Sequence, residues 1–157
     1  MNIGFVKIKT RRLHSDAFPI RRGSSGAAGA DVAYTGDKSL IIYPGEVVKV
    51  STGWAFQVPE NIAMQILPRS GTASKLKLRP CNSPGILDSD YRGELFIALE
   101  NFGDHKQTIE PGTYIAQIMF TPFYKPLFQV HDELDETERG DGGFGSTEER
   151  NRGVSRV

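Results

Sequence analysis

The sequence predicts an all-β fold, a sandwich or barrel of many short strands with one short helix. Three observations support this prediction. Short β-branched and apolar runs recur along residues 5–130, turn signals rich in Gly, Pro and Asn separate them, and one stretch alone is typical of a helix. At 157 residues the chain has the usual size of one domain and is long enough to bury a core.

The strands are predicted in order between these turns. The first alternates apolar and polar residues, and its successors are β-branched or aromatic; they are expected at 5–9, 31–34, 40–43, 46–58, 62–67, 95–99, 107–109 and 114–120. Gly53 indicates a bulge or bend in the longest run. Residues 72–78 predict the helix, with Ser70 or Thr72 as its cap. Pro126 interrupts residues 123–130, which predicts an edge strand there.

The stretch from Arg79 to Asn101 organises the rest of the chain. It opens with turn residues, places Asp88, Asp90 and Glu94 close together, and closes on the apolar run LFIAL. We interpret it as a hairpin whose tip carries polar chemistry, because binding and catalytic residues favour loops on a rigid scaffold.

The composition changes from His131 onward. The remaining residues are charged and glycine-rich, which is typical of a mobile arm, so we place the barrel at 1–131 and a flexible arm at 132–157. Within the arm, residues 139–147 (RGDGGFGST) surround Phe144 with glycines, an arginine and hydroxyls. Glycine N–H groups and arginine can hold a phosphate, and a lone aromatic ring can stack on a base.

Charge and cysteine content exclude several classes of protein. Nineteen basic residues balance nineteen acidic ones, which disfavours binding to nucleic acid or membranes. Cys81 is the single cysteine and is expected to be a partly buried, inert thiol, and the three histidines are too scattered for a zinc site. The chain shows no long apolar run, so we expect a soluble protein of the reducing cytoplasm.

Five segments resemble, in order, the five motifs of the trimeric deoxyuridine triphosphatase (dUTPase) family: AGADVAY (28–34), PRSGTAS (68–74), GILDSDYRGE (85–94), GTYIAQI (112–118) and RGDGGFGST (139–147). Any one motif is weak, whereas five in order are specific. The resemblance implies a jelly-roll β-barrel, or β-clip, that forms a homotrimer with shared active sites. It also implies hydrolysis of dUTP to dUMP and diphosphate, which keeps uracil out of DNA and supplies dUMP for thymidylate synthesis.

The resemblance implies roles for the residues around the central stretch. Asp88 would activate the water that attacks the α-phosphorus. Tyr91 would pack against the deoxyribose and exclude the 2′-hydroxyl of UTP. The residues implied for the uracil pocket, several through their main chain alone, are Asn82, Gly85, Ile86, Leu87 and Phe96.

A second implied set handles the phosphates. Asp31 would orient this set through Arg69 and metal-bound water, and the remaining phosphate contacts would be Ser70, Gly71 and Gln117. The arm would close over the nucleotide with Arg139, Phe144, Gly145, Ser146 and Thr147. Because no cluster of acidic residues resembles a metal cage, Mg²⁺ would be held by the triphosphate and water rather than directly by the protein.

Three alternatives remain at this point. A dCTP deaminase of the same fold would carry a glutamate-based site and an Arg-Ser-Ser segment where this chain has Arg69, Ser70 and Gly71. A regulatory protein could keep the nucleotide pocket and act through a protein partner. A structural jelly roll would leave residues 139–147 without a purpose.

Overall fold

The structure, a computed structural model, describes residues 5–143. Contacts divide the chain into two units, Met1–Tyr124 and Lys125–Val157. All of the secondary structure among the described residues lies in the first unit, and its elements are β1 Lys9–Arg12, β2 Ala30–Ala33, β3 Leu40–Ile42, β4 Val47–Gln57, β5 Ile62–Leu67, α1 Ser70–Leu76, β6 Leu78–Pro80, β7 Gly85–Leu87, β8 Glu94–Asn101, β9 Gln107–Ile109 and β10 Tyr114–Pro122. The prediction of an all-β fold with one short helix is confirmed.

The strands form two four-stranded sheets and one small two-stranded sheet. The strand orders are β1-β4-β8-β6, β2-β10-β5-β7 and β3-β9, and every pairing is antiparallel. Strand β8 alternates buried and more exposed residues, so one of its faces points into the core. Both large sheets contribute fully buried side chains to this core, among them Val50, Ile97, Leu99, Met64, Ile115 and Ile118.

The bulge predicted in the longest strand is present. Gly53 has φ +72°, and the register between β4 and β8 shifts between Ser51 and Ala55. A Cβ atom at this position would lie 2.6 Å from the Cβ of Ala17. Both the backbone conformation and the close approach therefore require glycine here.

The central stretch is not a hairpin, which corrects the sequence interpretation. Strand β7 pairs with β5 in one sheet, whereas β8 pairs with β4 and β6 in the other. Residues 88–93 therefore join the two sheets. The apolar run 95–99 predicts β8 correctly, but the short strands β6 and β7 were not predicted. The sequence pattern also carries no information on which strands become neighbours.

Three further local predictions are wrong. The first strand begins at Lys9 rather than at residue 5, because its partner β4 ends at Gln57 and leaves nothing for residues 5–8 to pair with. Residues 123–130 form no strand; the backbone bonding there ends with the Phe123 N–H, which donates to the Asn61 carbonyl. Cys81 is exposed, not partly buried.

The helix begins two residues earlier than predicted. Its N-cap is Arg69, which has an extended backbone and makes no capping hydrogen bond, and Lys77 ends the helix in the left-handed conformation. Thr72 does not cap the helix, because its hydroxyl donates to the Tyr114 carbonyl instead. No helix among residues 5–143 is both long enough and apolar enough to cross a membrane.

Candidate functional site

An open depression of about 290 Å³, here called the loop pocket, lies where residues 88–93 pass between the sheets. Six of the predicted site residues line it: Asn82, Ile86, Leu87, Asp88, Tyr91 and Phe96. The other residues that line it are Lys49, Ile66, Glu94 and Leu95. The structure thus brings the acid, the tyrosine and most of the implied base pocket together on one surface.

Gly85 allows the backbone beside this pocket to pack closely against Asn82 and Ile66. It is buried, and a Cβ atom there would lie 3.2 Å from the Asn82 amide nitrogen and 3.4 Å from the Cβ of Ile66. Glycine therefore lets β7 approach both neighbours.

Asp88 and Tyr91 are both exposed in the loop, and a short turn links them. The Tyr91 N–H donates to the Asp88 carbonyl at 3.2 Å, and the Tyr91 hydroxyl donates to the Glu94 carbonyl at 3.0 Å. Tyr91 as a whole is 44% exposed, so part of it is open to a ligand. These two bonds tie the catalytic candidate and the tyrosine to the start of β8.

The Glu94 side chain fixes the end of the loop to the bulge in β4. Its carboxylate accepts a hydrogen bond from the Ser51 hydroxyl and another, at 2.8 Å, from the Gly53 N–H. His14 Nε2 lies 3.4 Å from its other oxygen. Burial raises the pKa of Glu94, but the bonds from Ser51, Gly53 and His14 outweigh burial and lower it overall.

A second group of predicted residues lies around Arg69. Its Nε atom is 2.9 Å from Asp31 Oδ1, and its Nη1 atom donates to the Tyr114 carbonyl at 2.7 Å. Gln117 faces Asp31 across the β2–β10 pair and donates from its amide to the Pro68 carbonyl at 2.8 Å. The contact predicted between Asp31 and Arg69 is therefore present, while the roles of these residues remain predictions.

This group borders a second depression, here called the arginine site, of about 400 Å³. Arg69 and Gly71 line it among the predicted residues, and Ser70 is exposed at the start of α1 beside them. Arg21, Lys75 and Tyr114 also line it, and none of them is among the predicted site residues. The sequence signal for this cation is the pair Arg21–Arg22, which favours surface charge and only weakly indicates a phosphate contact.

The arm residues are described only in part. Arg139 lies in the second unit, where its Nε atom donates to the Gly142 carbonyl at 2.8 Å and Gly140 has φ +55°. Phe144, Gly145, Ser146 and Thr147 lie outside the described residues, so their implied roles remain predictions.

Magnesium that is held by the substrate phosphates and water stays a prediction for this site. Within residues 5–143 no group of three or more His, Cys, Asp or Glu side chains is placed to hold a metal. Asp31, the carboxylate at the arginine site, is already paired with Arg69. Oxygen atoms of a triphosphate and of water supply the ligands that Mg²⁺ prefers, with Asp31 available to bind one of those waters.

Comparison with known proteins identifies the family. The family model described as dUTPase matches residues 16–148, which is most of the chain. The chain belongs to the dUTPase family. It is therefore a hydrolase that converts dUTP to dUMP, and the resemblance of the five motifs is confirmed.

Curated dUTPases match over nearly their full length. A deoxyuridine 5′-triphosphate nucleotidohydrolase of Desulfitobacterium hafniense is 41% identical over 145 residues, which cover 90% of this chain and 96% of that protein. Its counterpart from Desulfotalea psychrophila is 44% identical, with 92% and 96% covered. This level of identity over most of the chain supports membership independently of the family model.

Solved dUTPase structures share the fold. A mutant dUTPase of Staphylococcus bacteriophage 80alpha with dUpNHpp has a TM-score of 0.80 at 23% identity, covering 90% of this chain and 98% of its own. A mutant dUTPase of phage phi11 of S. aureus, described with a structural Mg(II) ion, has a TM-score of 0.73 at 21% identity, with 83% and 100% covered. The jelly-roll fold implied by the motifs is confirmed.

Proposed function

We propose that this dUTPase hydrolyses dUTP by a water molecule that Asp88 activates for in-line attack on the α-phosphorus, releasing dUMP and diphosphate. The observation that carries the proposal is the loop pocket, where Asp88 shares one surface with Tyr91 and Asn82. Asp88 is exposed, so a water can reach its carboxylate. A carboxylate is an adequate base once the water is held in line with the leaving group.

Tyr91 and the neighbouring backbone select the substrate. The half-exposed ring packs against the deoxyribose and leaves no room for a 2′-hydroxyl, which excludes UTP. Asn82 and the main chain of residues 85–87 read the edge of uracil, with the main chain of Phe96 at the rim. The hydrogen bond from the Tyr91 hydroxyl to the Glu94 carbonyl supports this role, because it fixes the ring before the substrate binds.

The arginine site binds the triphosphate. Arg69, oriented by Asp31, contacts the phosphates together with Ser70, Gly71 and Gln117. An arginine is suited to this task because its planar fork donates two parallel hydrogen bonds to phosphate oxygens. The arm residues Arg139, Phe144, Gly145, Ser146 and Thr147 close over the nucleotide, holding the γ-phosphate and stacking on uracil.

We infer that the reaction requires Mg²⁺, since a dUTPase of phage phi11 is described with a structural Mg(II) ion. In this chain the triphosphate and water would hold the ion, and Asp31 would bind one of those waters. When bound, the ion offsets the phosphate charge and stabilises the charge that develops on the leaving diphosphate. The enzyme acts in the cytoplasm, where a single exposed cysteine such as Cys81 stays reduced.

The active enzyme is a homotrimer in which each site combines residues of different chains. The five motifs support this proposal, because they resemble those of a trimeric family with shared active sites. Complementation tests it: Asp88→Asn and Arg69→Ala are each inactive alone, and trimers refolded from a mixture regain part of the activity. If the mixed trimers stay inactive although their subunits exchange, Asp88 and Arg69 act within one chain, and the shared site is refuted.

Replacing Asp88 tests the proposed base. Asp88→Asn should lose hydrolysis of dUTP while retaining its binding, since asparagine keeps the shape of the side chain but cannot accept the proton. The matched control is Asp90→Asn, an exposed acid in the same loop that we assign no role. Turnover is followed by diphosphate release and binding by calorimetry. Retained turnover in Asp88→Asn would remove Asp88 as the base.

A further inference from the structure

Arg21 lies beside the arginine site although it belongs to none of the five motifs. Its backbone pairs with that of Asp31: the Asp31 N–H donates to the Arg21 carbonyl at 2.7 Å, and the Arg21 N–H donates back at 3.2 Å. This isolated bridge fixes the segment before β2 at the start of that strand. The position of Arg21 is therefore set by the same residue that orients Arg69.

The guanidinium group of Arg21 stacks on an aromatic ring. Its Cζ atom is 3.8 Å from the centroid of Tyr114, and Cζ of Arg69 lies 5.7 Å from the same centroid. Tyr114 is itself held in place by two hydrogen bonds. Its hydroxyl donates to the Pro19 carbonyl at 3.0 Å, and its backbone carbonyl accepts a bond from Arg69. One tyrosine thus holds two guanidinium groups close together.

The charges at this site are unbalanced. Arg21, Arg69 and Lys75 line the depression, and Asp31 is paired with Arg69. Among residues 5–143 no carboxylate forms an ion pair with Arg21 or Lys75. The whole chain has a formal charge of zero, so this local excess of cations is not a general property of its surface. Cations held together in this way gain most from a polyanionic ligand.

We propose that Arg21 is a further triphosphate-binding residue, which Tyr114 positions by stacking. The inference rests on the proposed function, because it extends the arginine site by a second guanidinium group. Arg21 contributes a charge-assisted contact to the phosphate chain of the nucleotide, alongside the contact from Arg69. Its effect grows with the number of phosphates, since each adds negative charge at the site. Tyr114 is a positioning residue and need not touch the nucleotide.

The test compares Arg21→Ala with Arg22→Ala across ligands of different phosphate number. Arg22 is the neighbouring exposed arginine, and its guanidinium donates to the Ala27 carbonyl instead of lining the site. Calorimetry measures the affinity of the full chain with Mg²⁺ for dUMP and for dUpNHpp. We expect Arg21→Ala to weaken dUpNHpp binding about 10-fold or more and dUMP binding less than about threefold. Arg22→Ala should change neither by more than about twofold.

Two further variants separate stacking from folding. Arg21→Lys keeps the charge but loses the planar fork, so it should bind dUpNHpp with intermediate affinity. Tyr114→Leu removes the ring and should raise KM for dUTP with little change in kcat, whereas Tyr114→Phe should retain most of the affinity. If Arg21→Ala unfolds, Arg21→Lys provides the test. The proposal is overturned if Arg21→Lys binds dUpNHpp with wild-type affinity and Tyr114→Leu leaves KM for dUTP unchanged.

The outcomes also separate this inference from the proposed function. Equal affinity of Arg21→Ala and Arg22→Ala for dUpNHpp, in an enzyme whose turnover still depends on Asp88, refutes the role of Arg21 alone. An equal loss for dUMP and dUpNHpp also refutes it, because the effect would not follow the phosphate chain. Retained turnover in Asp88→Asn refutes the proposed base and leaves the phosphate-number comparison valid.

Discussion

The contact between Glu94 and the β4 bulge makes a quantitative prediction about stability. The side chain of Glu94 is 12% exposed, and one of its oxygens accepts from both the Ser51 hydroxyl and the Gly53 N–H. Replacing Glu94 by alanine removes both bonds and leaves the N–H of buried Gly53 without its acceptor. We therefore expect Glu94 to hold the loop of residues 88–93, which connects the two sheets, against β4.

The expected loss follows from the two bonds to the carboxylate. A hydrogen bond to a charged group contributes about 1.5–3 kcal/mol, so Glu94→Ala should lower the free energy of unfolding by about 3 kcal/mol or more. Glu94→Gln keeps a neutral acceptor in the same place and should cost about 1 kcal/mol. His14 adds little, because its side chain is 48% exposed and its contact is long, at 3.4 Å.

Urea unfolding at neutral pH and one fixed protein concentration measures these losses, since an oligomer's apparent stability depends on concentration. The matched control is Glu100→Ala on the same strand, which removes the exposed ion pair with Arg79 and should cost less than about 1 kcal/mol. If Glu94→Ala and Glu100→Ala lose equal stability with equal m values, the reasoning about the partly buried Glu94 carboxylate is refuted.

Two other predictions concern acid and the arm. Because the folded pKa of Glu94 lies below its usual value near 4.5, its contribution is present above that value and is lost as the pH falls through the lower folded pKa. Urea midpoints measured from roughly pH 5 to 3 should therefore fall more steeply for the wild type than for Glu94→Gln; equal slopes would contradict this. Deleting residues 138–157 should leave a folded trimer with a severely reduced kcat/KM for dUTP, measured by diphosphate release and sedimentation, and normal activity would show that the arm is dispensable.

The strands that the sequence predicted best are those with clear turns at both ends. The predicted run 62–67 coincides with β5, and 107–109 coincides with β9, because Pro, Gly and Asn residues mark where each begins or ends. The strand predictions for residues 5–9 and 123–130 were wrong in whole or in part, because a strand needs a partner as well as a suitable composition. The sequence could not reveal that β4 ends at Gln57 and leaves residues 5–8 unpaired.

The candidate site was predictable where its residues form local motifs. Asp88 and Tyr91 stand three positions apart in the chain and line one pocket, as their shared motif suggested. Arg21 and Tyr114 were missed because they come from distant segments, and only antiparallel pairing of β2 with β10 brings these segments together. Lys49 was missed for the same reason: its ammonium group lies 4.0 Å from the Phe96 ring centroid, across the β4–β8 pair.

The loop pocket and the arginine site each contain a tyrosine whose hydroxyl donates to a backbone carbonyl. Tyr91 donates to the Glu94 carbonyl at the loop pocket, and Tyr114 donates to the Pro19 carbonyl at the arginine site. In each case the tyrosine lines the depression while its hydroxyl is bound to backbone, so the hydroxyl fixes the orientation of the ring. Rings held in this way are positioned before the substrate arrives, and less ordering entropy is lost on binding. Removing either hydroxyl should therefore lower substrate affinity only modestly, through ring mobility. Removing the Tyr91 ring deletes its proposed contact with the deoxyribose, whereas removing the Tyr114 ring releases the Arg21 guanidinium group that stacks on it.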